Sequence, residues 1–188
     1  MANAERAIVL VTPARRGSRS GNRVTALRWA GLLRQLGWQP RVVTQWDGRP
    51  ARALLAVHAR KSAHAVAAFA AQHPDRPIAV LLAGTDIYPT LSADPALHQT
   101  LACAHVLLAL QPNAKQALPM ALQAKVRVVP QSATAPPPGP KSPIFQACVL
   151  AHLRAVKDPL LAAAAVRLLP PQLPCRVILA GGELEPGF

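Results

Sequence analysis

Acidic side chains are scarce in this 188-residue chain: eight Asp and Glu stand against 21 Lys and Arg, a formal net charge of +13. Aromatic residues are scarce too, at 4%. No apolar run approaches the roughly 18–20 residues that cross a bilayer, and the longest, Leu101–Leu110 and Leu160–Leu169, contain His105 and Arg167. No membrane partner is expected. Glu5 and Arg6 lead straight into an apolar run, without the basic-then-apolar order of a secretory signal, so a soluble, cytoplasmic protein is expected. Cys103, Cys148 and Cys175 are odd in number, widely spaced and without a Cys-x-x-Cys pair. They read as small core hydrophobes kept reduced, with a catalytic thiol as the weaker alternative. No His, Cys and Asp cluster shows metal-ligand spacing, so neither a metal nor a cofactor is expected. A charge of +13 suits nucleic acid or small anions. The arginines are scattered, however, aromatics are few and no nucleic-acid motif occurs, which favours small anionic ligands and no nucleic-acid partner.

The most informative stretch runs from Ala7 to Gly37. Ile8 to Val11 is short, apolar and β-branched, as a buried parallel strand is, and Pro13 closes it. Val24, Leu27, Gly31, Leu32 and Leu36 then recur at helical spacing, with Gly37 as the stop and Ser20 or Asn22 as the N-cap. Between strand and helix lie Gly17 and Gly21, with Arg15, Arg16, Ser18 and Arg19. Glycine admits a close backbone approach, a helix N-terminus favours anions, and arginine supplies bidentate donors for phosphate or carboxylate. The Gly-x-x-x-Gly spacing matches neither the dinucleotide fingerprint nor the Walker loop. An ordinary solvated loop could carry the same residues; strand, glycines, arginines and helix together favour an anion site.

The pattern then alternates. Strands are predicted at Gln39–Thr44, Leu54–Val57, Ile78–Leu82, Val106–Leu110 and Val126–Val129, with helices at Ala63–Gln72, near Asp94–Ala104 and at Ala114–Leu122. Such alternation implies an α/β domain with a parallel, Rossmann-like sheet and right-handed crossovers. Polar turns follow the strands, where open sheets bind ligands: His58 and Arg60 after the third, Gly84, Thr85 and Asp86 after the fourth, Gln131 and Ser132 after the sixth. His58 reads equally as a hydrogen-bonded loop histidine or as a ligand-facing one. Asp86, taken singly, is more commonly a helix cap. Residues 133–143 hold five prolines and read as an extended linker between domains 1–132 and 144–188. Beyond it, Phe145–Leu150, a helix over Leu160–Leu169 opened by Pro159, and Arg176–Ala180 make a single βαβ unit. Such a unit buries little core of its own, so this second domain is expected to be incomplete.

Four stretches together resemble the GT-B glycosyltransferases, and among them the selenosugar synthases of selenoneine biosynthesis. They are Thr-Pro-Ala-Arg-Arg-Gly-Ser-Arg-Ser-Gly-Asn-Arg-Val-Thr-Ala-Leu-Arg-Trp-Ala from Thr12, His-Ala-Arg-Lys-Ser-Ala from His58, Gly-Thr-Asp-Ile-Tyr from Gly84 and His-Leu-Arg-Ala-Val-Lys-Asp-Pro from His152. The first and last are the more specific. The likeness covers essentially the whole chain but only the earlier part of such an enzyme. It implies a GT-B-like fold of two Rossmann-like domains facing a cleft, the N-terminal one leaning on the acceptor and the C-terminal one holding the donor nucleotide. The implied partners are a UDP-sugar donor, UDP-N-acetylglucosamine or a close relative, and a selenophosphate acceptor, joined through a carbon–selenium bond with release of UDP. By the same resemblance Arg15, Arg16, Arg19 and Asn22, in the loop with Gly17, Ser18 and Gly21, would receive the acceptor anion or the donor diphosphate. His58, Arg60, Gly84, Thr85, Asp86, Gln131 and Ser132 would line the cleft. His152, Arg154 and Lys157 would neutralise the leaving diphosphate, His152 standing where relatives carry an arginine. Such enzymes hold the ribose with acidic residues further along the second domain, a role for which Glu183 and Glu185 are not placed. A truncated remnant that binds anions without turnover is the alternative, and neither an acid/base group nor an oligomeric state is specified.

Overall fold

The computed structural model of the chain describes residues 5–88, 94–135, 137, 139 and 142–183. It divides into two compact units, Met1–Ala133 and Thr134–Phe188. In the first, β1 (Ala7–Val11), β2 (Gln39–Val43), β3 (Ala53–Val57), β4 (Ile78–Leu81), β5 (Val106–Ala109) and β6 (Val126–Val128) form one parallel sheet in the order β2-β1-β3-β4-β5-β6. The helices are α1 (Gly21–Gln35), α2 (Ala63–Gln72), α3 (Gly84–Ile87), α4 (Pro95–Cys103), α5 (Asn113–Gln116) and α6 (Met120–Gln123).

Alternate strand residues face opposite sides of the sheet, and two apolar layers result. Val9, Val11, Leu54, Ile78, Val80 and Leu107 pack with Val66 and Phe69 of α2 and Leu97 and Leu101 of α4. On the other face Ile8 and Leu10 meet Ala30 of α1, while Ala26 packs with Val57 and Leu81. Phe69 is fully buried, with edge-on contacts to Trp46 at 5.4 Å and His73 at 5.1 Å.

The structure refines the sequence pattern at three places. The larger apolar residues that recur at helical spacing in and after α1 lie outward: Val24, Leu27, Leu32 and Leu36 are 43–74% exposed, and the buried residues of the helix are Arg23, Ala26 and Ala30. Arg23, Ala26 and Ala30 recur at intervals of three and four, as Val24, Leu27 and Gly31 do, so periodicity alone does not choose between the two faces. The small set lies inward because Ala26 and Ala30 let the helix backbone approach the sheet closely. The single helix expected over Ala114–Leu122 is two one-turn helices, α5 and α6, divided at Pro119, which has no N–H to continue the first. Asp86 does not cap a later helix; it lies within α3, unforeseen in the sequence, while Asp94 caps α4 by accepting the N–H groups of Ala96 and Leu97.

The second unit is a parallel pair, β7 (Phe145–Leu150) and β8 (Cys175–Ala180), joined through a 3-10 turn (Ala155–Lys157) and α7 (Leu161–Val166), shorter than the sequence pattern. Gly181 passes so close to Ala151 that a Cβ there would overlap its carbonyl group. Phe145, Leu150, Val156, Leu161 and Leu168 are exposed in this unit. Of the cysteines, Cys103 packs beside the main core, but Cys148 is exposed on β7, against the expectation of a core role.

Candidate functional site

In the first unit the chain steps from β1 to β2 on one side and from β3 to β4, β5 and β6 on the other. The direction of winding therefore reverses between β1 and β3, and open α/β sheets bind ligands in the crevice beyond the carboxyl ends of the strands at such a reversal. Two loops flank it: Thr12–Ser20 after β1 and His58–Ser62 after β3.

The first loop turns at Gly17, whose φ of +84° only glycine adopts without strain. Ser18 is consumed by the turn: its N–H donates to Arg15 O at 3.1 Å and its Oγ accepts the Ser20 N–H at 3.1 Å. Arg15, Arg16 and Arg19 are exposed, and their guanidinium groups make no hydrogen bond or ion pair among the described residues. Gly21 and Asn22 open α1, whose N-cap is Ser20. No acidic residue occupies the first turn, so its positive end is unopposed from within the helix.

The second loop meets the turn after β4. β3 and β4 run in register, with Val57 opposite Leu81, so the next residues of both strands emerge side by side. There His58 Nδ1 lies 2.6 Å from Asp86 Oδ1, with both side chains at most 3% exposed. His58 Nε2 is 3.1 Å from Thr85 Oγ1. The Asp86 carboxylate also accepts the N–H groups of Ala59 (2.8 Å), Arg60 (3.1 Å) and Ala83 (2.8 Å). Burial pushes the Asp86 carboxyl up, but the bond and charge of His58 and the N–H groups of Arg60 and Ala83 outweigh it, and the net shift is downward. His58 itself has φ +73°, a left-handed conformation for a residue with a Cβ. The carboxylate holds that strained loop in place, and Ser62 Oγ donates to Val57 O at 2.9 Å from the other side. An Asp–His–hydroxyl line can move a proton, yet His58 is buried, so its evident work is to lock two loops together. Gly84 is exposed at the start of α3, and the Arg60 side chain makes a 3.8 Å ion pair with Asp94.

Gln131 and Ser132, expected to line a cleft, are tied to α1: Gln131 Nε2 donates to Thr25 Oγ1 at 2.9 Å, and Arg28 donates to Ser132 Oγ at 2.8 Å. Sequence reasoning passed over Arg23, third residue of α1 and only 8% exposed, whose Nε has no partner among the described residues. The signal was its spacing of three and seven from Ala26 and Ala30.

In the second unit His152, Arg154 and Lys157 follow β7. His152 Nδ1 accepts the Gly182 N–H at 3.3 Å, which occupies that nitrogen in closing the strand pair. Arg154 precedes the 3-10 turn with its Nε buried and unpartnered among the described residues, and Lys157 is exposed at the end of the turn.

The first unit is thus an α/β domain with a six-stranded parallel sheet, compatible with a Rossmann-like domain. No protein-family model and no curated protein matches the sequence. Among the described residues, no helix is long and apolar enough to cross a membrane.

Proposed function

We propose that the chain is a sugar-nucleotide-dependent glycosyltransferase of GT-B type that joins a UDP-sugar to selenophosphate. In that reaction the anomeric C–O bond to the diphosphate breaks and its electron pair leaves with UDP, while a selenium lone pair forms the new C–Se bond. The anionic groups on both reactants call for fixed cations at the developing charge. One observation carries the reading: a glycine-bearing loop with three unpaired arginines, opening a helix, stands at the reversal point of a parallel sheet. The resemblance of Thr12–Ala30 and His152–Pro159 to selenosugar synthases supplies the substrate identities. In this reading Arg15, Arg16, Arg19 and Asn22 take an anionic group of acceptor or donor, and His152, Arg154 and Lys157 face the leaving diphosphate. The chain is incubated with UDP-N-acetylglucosamine and selenophosphate, and UDP and a selenium-bearing sugar are sought by mass spectrometry. Both products are expected. Binding of the donor without product would overturn transfer and leave an anion-binding role.

A further inference from the structure

Helix α1 begins with two buried polar groups that nothing in the described structure satisfies. Arg23 is 8% exposed with its Nε unpartnered, and the Oγ of the N-cap Ser20 is likewise buried, making no capping bond. Both belong to the start of a 15-residue helix. A buried guanidinium Nε–H without an acceptor is costly, since the bond it made to water is not replaced. Such a group is stable in a folded chain when a ligand completes it.

The geometry says where that ligand sits. Side chains on a helix lean toward its N-terminus, so Arg23, in the first turn, reaches back toward the end of the helix. There the N–H groups of Gly21 and Asn22 donate to no acceptor among the described residues, whereas those of Arg23 and Val24 are held by Ser20 O. Its neighbour along the buried face, Ala26, packs with Val57 and Leu81, the last residues of β3 and β4. Arg23 lies one turn nearer the start of the helix on that same buried face, toward the ends of β3 and β4.

We infer that the N-terminus of α1 binds one tetrahedral phosphoryl group, held by the Arg23 guanidinium, the Ser20 hydroxyl and the open N–H groups of Gly21 and Asn22. Guanidinium and helix amides both match the oxygens of a phosphoryl dianion, and positive charge with dipole selects it over neutral ligands. The exposed Arg15, Arg16 and Arg19 add charge-assisted contacts to the same anion from the solvent side. The inference rests on the proposed function only for which molecule brings the phosphoryl group; the seat stands on its own orphaned donors.

The full chain is titrated with inorganic phosphate, and separately with UDP, at constant ionic strength, with calorimetry for affinity and tryptophan fluorescence for thermal stability. Phosphate is expected to bind and to raise the melting temperature. Arg23→Met should melt no lower than the parent without phosphate, because an unpaired buried donor is gone, yet bind phosphate at least tenfold more weakly and lose the phosphate-dependent rise. Ser20→Ala should weaken binding less. Arg34→Ala, in a separate arginine-walled groove at the far end of the helix, should keep the rise. Competition of phosphate with UDP assigns the seat to the donor diphosphate; phosphate and UDP binding together assigns it to the acceptor. Three results each overturn the inference: Arg23→Met that keeps phosphate binding, Arg23→Met that unfolds or melts lower without ligand, or Arg34→Ala that loses as much as Arg23→Met. Phosphate bound at Arg23 with no selenosugar formed would sink the proposed reaction and leave the seat standing.

Discussion

Replacing Asp86 by asparagine should loosen the first unit more than any exposed substitution, because one carboxylate joins two strand ends. Oδ2 accepts from Ala59 and Ala83, while Oδ1 accepts from Arg60 and contacts His58. An amide of the same shape offers one oxygen. In either orientation its NH2 faces a backbone N–H, donor against donor, in a site where Asp86 has no exposure. A hydrogen bond to a charged group is worth about 1.5–3 kcal/mol, and a buried donor left unpaired costs about 1–3 kcal/mol. These overlap, so a net loss of about 3 kcal/mol is expected. With a urea slope of about 1–3 kcal/mol/M, the unfolding midpoint should fall by about 1–3 M. Trp29, Trp38 and Trp46 all lie in the first unit, so their fluorescence reports its unfolding. The pH dependence gives a second check. The folded carboxyl titrates below its ordinary value, so its contribution is complete above about pH 4 and is lost as pH falls through the folded value. Parent and Asp86→Asn stability curves should therefore converge in acid. A midpoint shift under about 0.3 M at neutral pH, worth less than about 1 kcal/mol, would refute the argument that this carboxylate ties the loops.

Four other outcomes are expected. Changing Arg15, Arg16 and Arg19 together to alanine should leave the melting temperature within the effect of about 0.5 kcal/mol typical of exposed sites, while selenosugar formation falls about tenfold or more through lost charge-assisted contacts. Phe69→Ala should cost about 3–5 kcal/mol by leaving a cavity between α2 and the sheet, read from urea unfolding. Asp94→Ala should cost about 1 kcal/mol through the lost N-cap of α4, and asparagine there should restore most of it. Gly181→Ala should force apart the ends of β7 and β8, so the Ala151 and Leu153 amides, now bonded to Ala180 O and Gly182 O, should lose protection from hydrogen exchange.

Much of the fold is legible in local patterns. Ile8–Val11, Leu54–Val57 and Ile78–Leu81 are apolar runs bounded by proline, glycine or polar turns, and each is a strand of the sheet. Gly37 (φ +81°) ends α1 at the expected position. The site was less legible. His58 and Asp86 were each noticed, but their pairing was not, because they stand 28 positions apart in the chain and only β3–β4 register brings them together. Gln131 and Ser132 could not be assigned to α1 for the same reason, their partners lying about a hundred residues earlier.

The sequence by itself determined where the chain alternates between strand and helix, where its glycine turn falls and how much positive charge it carries, since these follow from residue type and near-neighbour spacing. Only the tertiary structure decided which polar groups leave water. Arg15 and Arg23 stand eight residues apart and look alike as letters, yet one is solvated and the other is buried with an unmatched donor. Burial is set by the face a helix turns to its sheet, and that face is chosen by how closely Ala26 and Ala30 pack against strands contributed from elsewhere in the chain.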